Sequence, residues 1–246
     1  MKKHLAIIPA RGGSKRIPNK NIRSFFGAPI IQYSINAALQ SNCFDEVMVS
    51  TENKKISEIA ISCGAKVPFF RSDEMASNEA MFIEVMEEVL NEYEKRGQSF
   101  DTFSCLLATA PFLSPGLFQK AFNLLESTGA DSVLPVVRSS YPVQQAFRIK
   151  EGKLDLFWPK YYEARTQDLE PSYFDCGLFF LVKIEAFRDK RKLVTENSVP
   201  LIVSELEAHD IDTEEDWAIA ERKYYILNNF PKKTGESGLG FLSRDK

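Results

Sequence analysis

Leu5-Ala6-Ile7-Ile8-Pro9 is a continuous apolar run that gives way at once to Ala10-Arg11-Gly12-Gly13-Ser14-Lys15-Arg16-Ile17-Pro18-Asn19-Lys20-Asn21. A short apolar run without alternation fits a strand buried on both faces, the kind found in parallel sheets covered by helices. The first two-thirds of the chain keeps that rhythm. Ile30 to Leu39 carries apolar residues at near-helical spacing, and Asp45 to Thr51 holds Val47, Met48 and Val49 as a second strand. Lys54 to Cys63 is again helical in spacing, with Gly64 as its stop. Asn78 is placed to cap a helix in which Phe82, Val85, Met86, Val89, Leu90 and Tyr93 recur on one face, ending at Gly97. A strand over Phe103 to Ala108, a helix over Pro115 to Thr128 and a strand over Ser132 to Val137 follow. Such alternation implies parallel pairing through right-handed crossovers. The expected fold is α/β: a doubly wound, mostly parallel, Rossmann-like sheet, which binds ligands beyond the carboxyl ends of its strands.

From Arg138 the rhythm changes. Ala146 to Ile149 and Leu154 to Trp158 form a hairpin pattern around Glu151-Gly152-Lys153, and a polar, aromatic stretch runs from Lys160 to Phe174. Residues 138–175 therefore look like an excursion inserted into one domain spanning 1–230, suited to substrate contacts or dimerisation. A strand over Cys176 to Val182, a return through Leu206 to Asp212 and a helix from Thr213 to Leu227 complete the expectation. Residues 231–246, with three glycines among polar residues, read as a flexible tail.

Charge and cysteine usage narrow the partners. The 31 basic and 34 acidic residues leave a net charge of −3, which argues against a general nucleic-acid binder, so any phosphate site must be a local concentration of cations. Cys43, Cys63, Cys105 and Cys176 are scattered without a CxxC pair and read as reduced thiols. With only His4 and His209, a zinc site is not expected. No signal-peptide core or long apolar segment stands out, so a soluble, cytoplasmic protein without membrane insertion is expected.

Four of the twelve residues from Ala10 to Asn21 are cationic, at the carboxyl end of the first strand. Glycines let backbone N–H groups approach phosphate oxygens, Ser14 adds a hydroxyl, and lysine or arginine offsets charge that grows during phosphoryl transfer. The segment matches neither G-x-G-x-x-G nor G-x-x-x-x-G-K-[ST]. A solvated basic turn is the competing reading, and the loop's position at the strand end favours a ligand. Near the other end, Asp210 and Asp212 point to one side if their segment is extended. Two hard carboxylates so placed suit Mg²⁺. The same stretch also reads as a helix start, with Thr213 as cap and Asp216 three residues later. The two readings are compatible, since a cap can fix the turn that aims the aspartates.

The run from Ile7 to Ile22 resembles the signature of the CMP-sialic acid synthetase family, nucleotidyltransferases that join CTP to a nine-carbon acidic sugar. The resemblance implies that Ala10, Arg11, Gly12, Gly13, Ser14, Lys15, Lys20 and Asn21 wrap the triphosphate, with Arg11 and Lys20 catalytic. His209 to Trp217 is similar to the family's D-x-D-T-x-E-D block, which implies metal binding by Asp210 and Asp212, the latter counted as catalytic. Arg71 to Ser77 resembles R-x-x-x-L-A-S, implying that Arg71 and Ser77 help hold the cytidine nucleotide; the serines many relatives carry a turn later are Met81 and Phe82 here. Leu106 to Phe112 resembles L-Q-P-T-S-P, but the glutamine that contacts sialic acid falls at Leu107. Ala108-Thr109-Ala110-Pro111, Arg165-Thr166-Gln167-Asp168-Leu169 and Tyr173 to Phe180 are similar to the pseudaminic acid cytidylyltransferase branch, with Cys176 and Leu178 as departures.

That branch implies a sugar site built from Thr109, Arg165, Gln167, Asp168, Tyr173 and Asp175. It also implies Mg²⁺ as cofactor, CTP and a nine-carbon 2-keto sugar acid as substrates, a CMP-sugar and pyrophosphate as products for surface glycan or flagellin glycosylation, and a homodimer. Alternatives within the class are synthetases for sialic, legionaminic or eight-carbon keto-deoxy acid; outside it stands a non-catalytic CTP-binding regulator. No histidine stands at the expected centre, so either a carboxylate or a water or hydroxide at the metal takes the sugar's proton.

Overall fold

The computed structural model describes residues 2–76 and 80–230. β1 (His4–Pro9) leads through a small ribbon, β2 (Ser24–Phe25) with β3 (Ala28–Pro29), into α1 (Ile31–Ser41) and β4 (Glu46–Ser50). Next come α2 (Lys54–Ser62), α3 (Phe82–Lys95), β5 (Thr102–Leu106), α4 (Pro115–Thr128) and β6 (Ser132–Arg138). A separate hairpin of β7 (Phe147–Lys150) and β8 (Lys153–Leu156) precedes β9 (Tyr173–Asp175) and β10 (Phe179–Lys183). α5 (Ile184–Lys190), β11 (Ser198–Val203) and α6 (Glu214–Asn229) end the described chain.

The main sheet runs β11-β6-β10-β5-β1-β4, with β9 also paired to β6. β1 is parallel to β4 and β5, and β11 is parallel to β6, whereas β10 and β9 run antiparallel to their partners. The α/β, mostly parallel expectation holds. Alternation along β1 explains the two layers. Ala6 and Ile8 pack with Ile31 and Ile35 of α1 and Phe118 of α4, while Leu5 and Ile7 pack with Val85, Met86 and Val89 of α3. Because every residue from Leu5 to Ile8 is fully buried, the strand reads as unbroken apolar sequence.

β4 lies on one side of β1 and β5 on the other, so the winding reverses at β1. That reversal opens a crevice beyond the carboxyl ends of β1 and β5, where an α/β sheet takes its ligand. The Ala10–Asn21 loop leaves β1 at this point.

The last third differs from the expectation at one strand and adds two elements. The strand expected over Cys176 to Val182 starts only at Phe179, as β10, because Gly177 adopts φ +68°, and β9 lies before it in the stretch expected as excursion. α5 and β11 were not anticipated. β11 is an edge strand carrying Pro200, whose missing N–H is tolerated at an edge, and its Ile202 faces water, so its pattern does not look like a buried strand. The return through Leu206 to Asp212 begins in a short 3-10 turn, Glu205–Glu207, and continues outside the sheet. The β7–β8 hairpin turns through Glu151 (φ +52°) and Gly152 (φ +75°), the twist that suits a two-residue turn. Asn78, expected to cap α3, lies outside the described residues.

Candidate active site

The crevice holds a cleft of about 790 Å³ with a charged wall and an apolar wall. The charged wall comes from Arg11, Ser14, Lys15, Arg16, Lys20 and Asn21 of the loop. Buried Ile17 pins the loop to the core, and the Asn21 side-chain amide donates to the Arg11 carbonyl at 2.9 Å, closing the loop across its neck. Ala10 is buried and its N–H donates to the Ser50 carbonyl at 2.9 Å.

Gly12 is needed for close approach. A Cβ there would come within 2.5 Å of the Asn53 side-chain nitrogen, the residue that caps α2. Its N–H is turned inward and donates to Glu52 Oε1 at 2.6 Å. The donors this loop turns to the cleft are therefore the side chains of Arg11, Ser14, Lys15, Arg16 and Lys20, with Gly13 exposed beside them.

Asp210 and Asp212 enter the same cleft, while Ile211 between them is buried, as alternation along an extended segment requires. α6 begins just beyond. Thr213 caps it by accepting from the Asp216 N–H at 3.2 Å, and Asp216 Oδ2 accepts from the N–H groups of Asp212 at 3.0 Å and Thr213 at 2.7 Å. The cap thus fixes the backbone of Asp212 itself. Lys20 spans from the loop to this turn, donating to the Ile211 carbonyl at 2.7 Å and to Asp212 Oδ1 at 3.3 Å. Arg16 reaches Asp212 Oδ2 at 3.1 Å. Arg23 adds a brace outside the cleft: its guanidinium bonds both Glu214 carboxylate oxygens at 2.7 Å and sits 4.4 Å above the Trp217 ring.

The carboxyl pKa of Asp210 is raised, first by withdrawal from water and then by repulsion from Asp212, with Asp175 adding to it. Gly177 lies against it. A Cβ on Gly177 would stand 3.0 Å from the Asp210 Cβ and 3.1 Å from Oδ1, so glycine keeps the space beside that oxygen open. Among the described residues no group of three or more His, Cys, Asp or Glu side chains converges as a metal cage. Two carboxylates, an open flank and a cationic loop suit Mg²⁺ nonetheless, because that ion keeps waters and takes substrate phosphates as its remaining ligands.

At the back of the cleft, buried Arg71 donates through Nε to Ser50 Oγ at 3.0 Å and through Nη2 to the Ser50 carbonyl at 2.7 Å. Burial lowers its pKa, opposed by Glu52 and Glu88, and arginine stays charged throughout. The apolar wall comprises Met75, Met81, Phe82 and Val85, with Leu107, Ala108 and buried Thr109 at the end of β5. Ser77 lies outside the described residues.

The structure brings together Arg11, Ser14, Lys15, Lys20, Asn21, Arg71, Thr109, Asp210 and Asp212 around one cleft. Arg165, Gln167, Asp168 and Tyr173 are exposed on the excursion and do not line it. Asp175, also exposed, sits at the cleft's margin: its Oδ1 accepts from the Gly177 N–H at 3.0 Å, and its charge acts on Asp210. Sequence reasoning missed Arg16 as the partner of Asp212, Glu52 as the acceptor for Gly12, and Gly177 as the neighbour of Asp210. Only Arg16 carried a signal, as a fourth cation in the loop.

Residues 5–167 match a family model described as cytidylyltransferase. The chain is 35% identical over 225 residues to the pseudaminic acid cytidylyltransferase of Campylobacter jejuni, covering 91% of this chain and 97% of that protein. It is 33% identical to the CMP-N,N'-diacetyllegionaminic acid synthase of Legionella pneumophila, covering 89% of this chain and 94% of the relative. In fold it is similar to a CMP:2-keto-3-deoxy-manno-octonic acid synthetase solved with CTP, with a TM-score of 0.67 at 15% identity, covering 92% of this chain and 99% of the other.

Proposed function

The chain belongs to the cytidylyltransferase family, and from that premise we propose that it joins CTP to a nine-carbon 2-keto sugar acid, pseudaminic acid, releasing pyrophosphate. The observation that carries this reading is the meeting of the cationic loop with Asp210 and Asp212 in one cleft at the switch point of the sheet.

In the proposed reaction the sugar's anomeric hydroxyl attacks the α-phosphorus in line. A P–O bond to the sugar forms, the bond to the β-phosphate bridging oxygen breaks, and pyrophosphate departs. Positioning and charge neutralisation account for most of such catalysis. Arg11 and Lys15 offset triphosphate charge. Lys20 already uses two of its ammonium donors on Ile211 and Asp212, so its third remains for a phosphate oxygen. Asp210 and Asp212 would hold Mg²⁺, which supplies Lewis-acid neutralisation of phosphate oxygens when bound. Arg71, tied to Ser50, gives the nucleotide end of the cleft a fixed cation.

On this reading the apolar side chain of Leu107 at the cleft wall disfavours a sugar that needs a polar contact there, and so favours pseudaminic over sialic acid. Arg165, Gln167, Asp168, Tyr173 and Asp175 would contact the sugar. The protein would act in the cytoplasm as a homodimer. Ile149, Leu154 and Trp158 on and beside the β7–β8 hairpin face water, and a second copy of this chain would cover them. Light scattering on the purified protein should give twice the chain mass, and a monomer at micromolar concentration overturns the dimer.

The deciding experiment measures pyrophosphate release from CTP with pseudaminic, legionaminic, N-acetylneuraminic and keto-deoxy-octonic acids in parallel. The highest kcat/KM is expected with pseudaminic acid. A preference for another of these acids refutes the sugar assignment, and CTP binding without pyrophosphate release for any of them refutes catalysis.

A further inference from the structure

We propose that Arg16 is a removable counter-ion on Asp212, a positioning residue that opposes divalent-cation binding until a polyphosphate enters the cleft. The inference rests on the reading that Asp210 and Asp212 hold the metal. Two cations share the Asp212 carboxylate, and they differ in how they are held. Lys20 has a side chain only 19% exposed, and a second anchor on the Ile211 carbonyl at 2.7 Å. It is a fixed part of the turn. Arg16 has a side chain 66% exposed and touches Asp212 at a single oxygen, Oδ2, at 3.1 Å. An ion pair so open to water is weak, so this guanidinium leaves readily when a better acceptor is offered.

With Lys20 and Arg16 both in place, the two cations offset the charges of Asp210 and Asp212, and Arg16 occupies one of the two Asp212 carboxylate oxygens, so an incoming cation meets less attraction than it would without Arg16. A triphosphate changes both terms. Its oxygens accept from a guanidinium bidentately, a stronger match than one exposed contact, and Arg16 already lines the cleft they would enter. Transfer of Arg16 from Asp212 to the polyphosphate frees Oδ2 as the cation's other ligands arrive. Metal and nucleotide binding are thereby coupled, and by linkage each strengthens the other. No bond is made or broken; one guanidinium exchanges acceptors.

The test follows Mn²⁺ binding to the full chain by electron paramagnetic resonance, alone and with α,β-methylene-CTP. Arg16→Gln should bind Mn²⁺ alone about fivefold more tightly than wild type, the upper range for an exposed ion pair. The gain in Mn²⁺ affinity caused by the analogue should shrink by a similar factor, and Arg16→Lys should fall between. Lys15→Gln removes the same charge from the same loop without touching Asp212, and should tighten Mn²⁺ alone much less. Equal tightening in Lys15→Gln and Arg16→Gln would reduce the effect to the loop's general field and overturn the proposal, as would an unchanged Mn²⁺ affinity in Arg16→Gln. Asp212→Asn separates the two levels of the argument. If it leaves Mn²⁺ binding intact, the metal assignment falls and takes the proposal with it. If it abolishes binding while Arg16→Gln changes nothing, only the role of Arg16 falls.

Discussion

Gly177 offers a test in which backbone strain and site geometry come apart. Gly177→Ala places a methyl group at φ +68°, 3.0 Å from the Asp210 Cβ and 3.1 Å from its Oδ1. The left-handed backbone alone costs an alanine about 1–2 kcal/mol. Gly152, at φ +75° in the β7–β8 turn, has no heavy atom within 4 Å of the corresponding Cβ position. Gly152→Ala therefore carries the same backbone penalty with no collision. Carbon atoms settle at about 3.5–4.0 Å, so the Gly177 methyl must push Asp210 aside by roughly half an ångström or more. A displacement of 1 Å in a catalytic constellation costs about a hundredfold in rate, so about tenfold is expected here. Urea denaturation should show both variants losing about 1 kcal/mol, with Gly177→Ala losing somewhat more. Pyrophosphate release and Mn²⁺ affinity should fall in Gly177→Ala alone. If Gly177→Ala kept wild-type turnover and Mn²⁺ affinity, with a stability loss no greater than that of Gly152→Ala, Asp210 would not depend on that close approach and the metal geometry argued from it would be wrong.

Asp212→Asn should lower kcat about a hundredfold or more at saturating CTP while leaving the melting temperature near wild type, because it keeps the side chain's size and removes the charge that Lys20 and the proposed metal require; near-normal turnover at limiting Mg²⁺ contradicts this. Arg11→Ala should raise KM for CTP far more than it shifts the melting temperature, since Arg11 lies on a loop rather than in the core. Arg165→Ala and Asp175→Asn, assayed separately, should raise KM for the sugar with CTP binding retained, and equal damage to CTP binding counts against the assignment. Asp131 is held at a pKa of about 2, chiefly by its hydrogen bond from Lys190 and then by Thr195. Its folded pKa lies below the unfolded one, so its contribution is full above pH ~4 and lost as pH falls toward ~2. The stability difference between wild type and Asp131→Asn should shrink over that window, and a difference independent of pH refutes it.

The parts of the site legible in sequence are those whose chemistry is contiguous. The cationic loop follows its strand without a gap, and Asp210, Ile211 and Asp212 declare their sides by alternation, with Thr213 and Asp216 marking the helix start. Pro115 at the start of α4 and Gly129 after its end bracket that helix in the same way. What escaped depends on contacts between distant residues. Nothing near Glu52 indicates that it receives the Gly12 N–H, and nothing near Gly177 indicates Asp210 overhead. β11 escaped for a local reason: with Pro200 and Ile202 facing outward it lacks the pattern of a covered strand. The unbroken apolar look of Cys176 to Val182 concealed a left-handed glycine that sends β9 to β6 and β10 to both β5 and β6.

The braces around the cleft bear on how the proposed sugar choice could vary independently of nucleotide use. Lys20 ties the loop to Ile211 and Asp212, Arg23 ties the chain just after it to Glu214 and Trp217, and Asp216 holds the intervening backbone. The first two join the first strand's loop region to the start of α6, and the third fixes that start. None uses a residue of the 138–175 excursion. That excursion is attached through β9 on β6 and through Ser140, whose hydroxyl donates to Glu205 at 3.3 Å, while the Gln145 side-chain amide ties it internally to the carbonyls of Tyr161 at 3.0 Å and Ala164 at 2.8 Å. Among the described residues, no hydrogen bond or ion pair joins the side chains of Arg165, Gln167 or Asp168 to the loop–α6 braces. Gly177 touches both regions, bonded to Asp175 on one side and lying against Asp210 on the other. If the proposed division holds, Gly177 is a position at which a change meant for the sugar also disturbs the proposed metal site.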